Sequence, residues 1–411
     1  MYITTLNTIR SLRNVIAKHA SPRPFYIASP TAVQQQIASW RTHLPTVQPF
    51  YAVKSNPDPQ VLSWLNTAGV RFDCASGREI RDVLASPPGA SPANIIFANP
   101  HKTIQDCHFA NEIGVNRTVV DSPEEVTKIA KTGWKPEILI RLAVDDAASR
   151  SPFSIKFGAE RGQWQEILAA ITRNSLHFGG LSFHIGSASS DPTQYKRAID
   201  TCKAFVQRTA TPAETVDIGG GFLPDTFADS ATQIRASMEE WHRTASKTAP
   251  KHWIAEPGRF FSSRSHTLYA PILSRKKGPG GVGWRYILDE SVYGQFSCIV
   301  YDHARPYWLN VPTEGTETNT KKEKGFLFGR TCDSIDLIAY SEKMPTMSEG
   351  DWLCFPEMGS YTTASASEFN GYPKPTTYYQ DEGWVPNAPA NPAICFPVEA
   401  KSSITLSTQK N

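Results

Sequence analysis

Short apolar runs recur between residues 50 and 256, separated by stretches long enough for a helix and its loops. Eight such runs can be read: FYAVK (50–54), VRFDC (70–74), IIFA (95–98), RTVVD (117–121), ILIRLAV (138–144), LSFHI (181–185), TVDIG (215–219) and WIAEP (253–257). The intervening segments, such as PQVLSWLNTAG, EEVTKIAKTG and YKRAIDTCKAFVQRT, carry helical apolar spacing, and several end in Gly. Repeated βα units predict a parallel sheet, either an open doubly wound sheet or a closed (β/α)8 barrel. The polar residues favour the barrel. Lys54, Asp73, Arg141, His184, Gly219, Gly220, Gly221 and Glu256 fall at or just beyond the C-terminal ends of the runs, where barrel enzymes build active sites.

After about residue 262 the texture changes. HTLYAPIL, WRYILD, FSCIVYDH and WLCFP read as strands separated by Gly, Pro and polar turns, which predicts an all-β second domain. The expected division is a barrel over 22–262 and a β domain from 1–21 plus 263–411. EGTETNTKKEKG (314–325) reads as an exposed loop, and the tail after Val398 as weakly ordered. The first twenty residues carry Arg10, Arg13 and Lys18 without an acid; they read as an amphipathic first helix, with a transit peptide as the alternative.

The 411 residues carry a formal charge of +3, with cations scattered along the sequence, so composition points to neither nucleic acid nor membrane partners but to a small-molecule substrate. The seven cysteines form no CxxC pair, which argues against a zinc knuckle or a disulfide framework and for a reducing, cytoplasmic compartment. No metal set is expected, because Cys107 and His108 lack partners at ligand spacing. Gly278, Gly280 and Gly283 match a dinucleotide fingerprint in spacing only. They precede a strand rather than a helix and read as a turn.

Lys54 ends a buried run, where its charge must be paired or bonded covalently; Asp73 is an available mate, and a Schiff base is the other solution. DIGGGF (217–222) is a tight turn or a phosphate cradle, and Arg259 in EPGR could pair with the same phosphate. Glu256 could keep a pyridine nitrogen protonated, and His184 could stack on an aromatic cofactor. Cys332, beside Asp333 and Asp336 in GRTCDSID, sits in a polar turn suited to proton transfer.

Taken together, PFYAVKSN, FDCAS, IIFANPHK, LSFHIGS, DIGGGF, AEPGRFF, VYGQFSCIVYDH, GRTCDSID and MGSYTTASASEFNGY resemble the motifs of the ornithine, arginine and diaminopimelate decarboxylases, in the family's order, from about residue 22 to 375. The resemblance implies pyridoxal 5'-phosphate as cofactor and Lys54 as its Schiff-base lysine. Asp73 would lie nearby, Arg141 in the charge network, His184 on the ring and Glu256 at the pyridine nitrogen. Ser187, Gly219, Gly220, Gly221, Arg259 and Tyr361 would hold the phosphate. It further implies a head-to-tail homodimer with shared sites, in which Cys332 protonates the intermediate and Asp333 binds the distal cation. Glu290, Asp289, Tyr293 and Phe369 would complete the substrate site.

CDS at 332–334 resembles the branch acting on ornithine-like diamino acids, whose products feed polyamine biosynthesis. Two departures stand out. Glu290 replaces the usual Asp, and Arg330 replaces a common Pro, where it could favour a substrate with an extra carboxylate. Ornithine, lysine, arginine and a substituted amino acid from a specialised pathway all stay open. A racemase and a catalytically dead homologue that binds a regulatory protein are the rival readings.

Overall fold

The structure, a computed structural model, describes residues 6–19, 21–189, 191–313 and 321–386. The chain forms two compact units, one of residues 33–261 and one of 1–32 with 262–411.

In the first unit, eight parallel strands close into a barrel: Val47–Ala52, Arg71–Cys74, Ile95–Phe97, Arg117–Val120, Glu137–Arg141, His177–Ser182, Thr215–Asp217 and His252–Ala255. Closure pairs Trp253 with Val47. These strands are nearly continuous apolar runs because both faces are covered, outwardly by helices and inwardly by a core that includes Phe50, Ile96, Val119, Leu139 and Ile254. Between barrel and helices lie Trp134, Trp164 and Trp241, each 2% exposed or less.

Caps fix the turns on the C-terminal face. Asp58 accepts from the Gln60 and Val61 amides at 2.9 and 3.1 Å, and Pro59 opens the helix Pro59–Thr67. Ser76, Thr103 and Ser122 cap the helices after the next three strands in the same way. Each cap satisfies otherwise unpaired amides, so the chain leaves its strand in one direction and the strand-end residue is held there.

The second unit is an eight-stranded mixed sheet. Its long strand His266–Lys277 pairs with Trp284–Leu288, with Trp352–Phe355 and with Phe25–Ala28. Residues 22–32 therefore group with this sheet rather than with the barrel. The helix Leu6–His19 packs Leu12 and Val15 against Phe25 and Tyr269. Gly278–Gly283 is a hairpin turn, with Gly280, Gly281 and Gly283 at positive φ.

Three expectations change. FSCIVYDH is not a strand: Ser297–Tyr301 is a short helix, with Cys298, Ile299 and Asp302 buried and Val300 and Tyr301 exposed, the grouping of a helical face. The loop expected at 314–325 gives way to the strand Lys322–Phe328, while 314–320 and the tail after Val398 lie outside the described residues. Cations scattered in sequence are partly gathered in space, since Lys276 lies opposite Arg285 and the Arg275 and Lys277 heads cover the Trp284 ring.

Candidate active site

The C-terminal end of the barrel collects its polar residues from separate strands. Lys54 lies not in the strand but in the turn Val53–Ser55 just beyond Ala52, where its side chain is 41% exposed. Its charge is thus less confined than the sequence suggests. Nζ lies 3.2 Å from Oδ2 of Asp73, which is almost fully buried at the end of the next strand. The ammonium is held and oriented, yet open on one side.

His184 is buried, and its Nδ1 accepts from the Gly186 amide at 3.0 Å, which leaves the other ring nitrogen to carry the proton. Burial, reinforced by the nearby Arg141 and Lys54 charges, pushes its pKa well down, so the ring is neutral. Phe153 packs against it at 4.8 Å between centroids. Arg141 rests on Phe157, with its Cζ 4.9 Å from the ring centroid.

Glu256 and Asp217 form a buried carboxyl pair. Burial, and then the Asp217 and Asp73 charges, raise Glu256 well above the usual carboxylate range. Burial lifts Asp217 as well, to about 6, but it accepts from the Gly219 amide at 2.9 Å and from Ser182 at 3.2 Å, bonds that favour its ionised form, so Glu256 is the member that holds a proton. Glu256 Oε1 is buried without a hydrogen-bond partner among the described residues. The glycine turn packs tightly: a Cβ on Gly219 would lie 2.2 Å from the Phe183 oxygen, and one on Gly220 2.7 Å from the Glu256 oxygen. Gly219 and Gly221 also need φ of +64° and +103°. On the same rim Arg259 donates to Ser187 Oγ at 3.2 Å.

In the β unit a second group forms around residues 329–336. Tyr293 donates its hydroxyl to Asp333 Oδ2 at 2.6 Å, and the Ile335 amide donates to Oδ1 at 3.0 Å. These bonds, the tyrosine's first, hold the Asp333 carboxyl below its ordinary range. Phe369 stacks on Tyr293 at 4.3 Å. Cys332 is exposed, with its amide and Sγ at 3.2 and 3.5 Å from Asn370 Oδ1. Asp336 is a structural staple rather than a second reactive acid: it is buried and accepts from the Val292 amide and from the amide and hydroxyl of Thr331. Tyr361 adopts φ 56° and lies in this unit.

Two expected substrate contacts are engaged elsewhere. Glu290 is 1% exposed and turns its Oε1 onto the Ser291 and Gln295 amides at 2.8 and 3.2 Å. Burial pushes its pKa up to about 7. Asp289 is shared by Arg330 at 2.8 Å and Arg23 at 3.1 Å. The Arg330 guanidinium is buried and stacks on Tyr372, so its charge is matched within the unit rather than offered to an extra substrate carboxylate.

Residues 31–263 match the family described as pyridoxal-dependent decarboxylase, pyridoxal binding domain. The chain belongs to this family. It is 35% identical over 387 residues to the ornithine decarboxylase of Schizosaccharomyces pombe, covering 91% of this chain and 88% of that protein. The crystal structure of the Paramecium bursaria Chlorella virus arginine decarboxylase bound to agmatine aligns with TM-score 0.83 and 30% identity, covering 90% of this chain and all of that one. The lysine decarboxylase of Selenomonas ruminantium, solved with PLP and cadaverine, aligns with TM-score 0.78 and 31% identity over 91% of this chain and 93% of that one.

The barrel-end residues of this family member fit pyridoxal phosphate on chemistry alone. A half-open amine, a neutral flat ring, an Arg–Ser pair for an anion and a buried, partnerless carboxyl oxygen match an aldehyde, an aromatic ring, a phosphate and a pyridine nitrogen. The sequence reading passed over Asp217, which carries the anionic share of the Glu256 pair, and Asn370. Asp217 stands in the DIGGGF motif and Asn370 in FNGY, but neither showed a role before its neighbours were known. Among the described residues no cluster of His, Cys, Asp and Glu could hold a metal, and no helix is long and apolar enough to cross a membrane.

Proposed function

We propose that the protein decarboxylates a basic L-amino acid to the corresponding amine and CO2 with pyridoxal 5'-phosphate, as an ornithine-type enzyme. The observation that carries this reading is the barrel-end constellation of a half-open Lys54 held by Asp73, a neutral His184 and a protonated Glu256. When bound, the cofactor supplies an electron-withdrawing ring conjugated to the substrate's α-carbon.

The chain's own groups do the rest. Lys54 would hold the cofactor through Nζ, which Asp73 keeps in place. Glu256 holds a proton where a ring nitrogen can take it, and its neighbour Asp217 balances the charge. His184 provides a flat face without a competing positive charge, which would weaken the ring's pull on electrons. Arg259 and Ser187 would hold the phosphate, and Arg141 would add to the charge network.

Loss of CO2 leaves an electron pair on the α-carbon. Cys332 delivers its Sγ proton there, sulfur keeps the bonding pair, and water later restores the proton. Asp333, kept ionised by Tyr293, binds the distal cation. Because Glu290 and Asp289 are engaged inside the β unit, Asp333 is the loop carboxylate open to that cation, which suits a substrate with a single distal charge. The resemblance supports a head-to-tail homodimer in which Cys332 and Asp333 serve the partner's barrel. The six described cysteines are all free thiols, in keeping with a reducing, cytoplasmic compartment.

The test is CO2 release by the holoenzyme from L-ornithine, L-lysine, L-arginine and diaminopimelate, with cofactor absorbance recorded beside Lys54→Ala. Release dependent on Lys54 from one of the first three supports the reading. Cofactor binding without release from any of the four would overturn it in favour of a substituted substrate or a racemase, and absence of cofactor binding would leave the non-catalytic homologue.

A further inference from the structure

We infer that Asn370 is the positioning residue for the proton donor Cys332. The inference rests on the reading of Cys332 given above. Cys332 is exposed, so packing does not fix its Sγ. Asn370 does so: one carboxamide oxygen accepts from the Cys332 amide at 3.2 Å and from its thiol at 3.5 Å. The two bonds set both the backbone of residue 332 and the direction of Sγ.

The residue type at 370 is constrained twice. Its backbone adopts φ 58° and ψ 17°, a left-handed conformation that Gly takes freely and Asn tolerates better than most other residues. Gly would satisfy that requirement and lose the grip on Cys332; Asn meets both. The turn around it is anchored on either side without its help. Phe369 stacks on Tyr293, while Tyr372 stacks on Arg330 at 4.2 Å and donates to its carbonyl at 3.4 Å. Residues 370 and 372 thus grip the Cys332 loop at two points while Phe369 anchors the turn on Tyr293, and only Asn370 touches the thiol.

A displaced proton donor slows the proton-transfer step without weakening substrate binding, because the distal cation is held by Asp333 through Tyr293. Asn370→Gly is expected to lower kcat on the order of 10-fold with KM changed less than about twofold. A second readout does not depend on turnover: alkylation of Cys332 in the holoenzyme at fixed pH, followed by mass spectrometry of its peptide. Freed from Asn370, the thiol is no longer held against a carboxamide, turns into solvent and alkylates faster. Asn370→Asp keeps an acceptor oxygen for both bonds, so alkylation stays at or below that of the parent and kcat recovers most of its value.

Faster alkylation in Asn370→Gly but not in Asn370→Asp, with loss of kcat in the first, supports the inference. Unchanged kcat in Asn370→Gly overturns it whether or not alkylation changes. A Cys332→Ala control separates the two levels: if that variant keeps full kcat, the proton-donor reading itself falls, whereas a large loss there beside a fully active Asn370→Gly removes only the role of Asn370.

Discussion

The barrel end and the 329–336 loop are built by different means. At the barrel end, Lys54, Asp73, Arg141, His184 and Glu256 each lie at the end of, or just beyond, a different strand of a closed hydrogen-bonded ladder, so their positions are fixed by backbone pairing and by capped turns. In the β unit, Cys332, Asp333 and Arg330 share one short loop, held by side chains reaching across from 289–296 and 369–372. Removing a side chain from the first region leaves the frame intact and deletes a chemical group. Removing one from the second changes where its neighbours sit. Substitutions should therefore separate into losses of chemistry with normal stability and graded losses that depend on pH or on substrate binding.

Lys54→Ala should give the largest effect, a fall in CO2 release of at least ~10³-fold with an unchanged melting temperature, since the side chain is half exposed and packs little core. A melting transition lowered as much as that of a core substitution would break the contrast between the regions. Glu256→Gln should follow, with kcat down on the order of 10²-fold and the fold retained, because the amide has no acidic proton to give a ring nitrogen yet can still bond to Asp217. Near-normal turnover would show that the proton on Glu256 plays no part.

In the loop region the expected signature is pH-dependent stability at Glu290. Its folded pKa of about 7 lies above the ordinary glutamate value, so its contribution to stability is fully present below the unfolded pKa and is lost as pH rises through about 7. Glu290→Gln keeps an acceptor for the Ser291 and Gln295 amides without the buried charge. The variant should gain on the parent by on the order of 3 kcal/mol above neutral pH and by little below pH ~4, measured by urea unfolding across that range. Equal pH profiles would mean that Glu290 reaches water in the assembled protein.

The same contrast decides what could be read in advance. The barrel was legible because burial on both faces writes most of its strands as apolar runs, and the polar residues at their ends follow from the architecture. The sixth strand, His177–Ser182, shares only Leu181 and Ser182 with the run read at 181–185, because HFGGLS carries few large apolar side chains. Phe25–Ala28 looks no different in sequence, since FYIA is also fully buried, and only pairing with His266–Tyr269 shows that it belongs to the other sheet. The helix Ser297–Tyr301 was misread because five residues are too few to show a period. Motif resemblance located Glu290 and Arg330 but not the direction of their side chains. Each is engaged by a partner of the same unit, Glu290 through Oε1 by backbone amides within five residues and Arg330 by an acid 41 residues away, while Glu290 Oε2 and Arg330 Nε stay buried without a partner among the described residues. Asn370 neither titrates nor breaks a pattern, so nothing in the chain singled it out.

Tyr293→Phe should give the smallest effect, and it asks most directly whether the loop is held contact by contact. The substitution keeps the ring that stacks on Phe369 and removes only the hydroxyl that donates to Asp333 at 2.6 Å. That bond is the main cause of the lowered Asp333 pKa, so without it the carboxyl returns toward the ordinary range. At neutral pH the group stays ionised, and the loss is one of aim: KM should rise by about 3- to 10-fold with kcat nearly constant, the pattern of a binding contact shared by ground and transition states. As pH falls toward the ordinary carboxylate range, the variant's Asp333 protonates before the parent's does, so the ratio of the two KM values should widen. A constant ratio would leave Tyr293 as a packing partner of Phe369 alone. A fall in kcat equal to the rise in KM would show that Asp333 and Cys332 move together, and that the loop is one rigid piece rather than a set of independently held side chains.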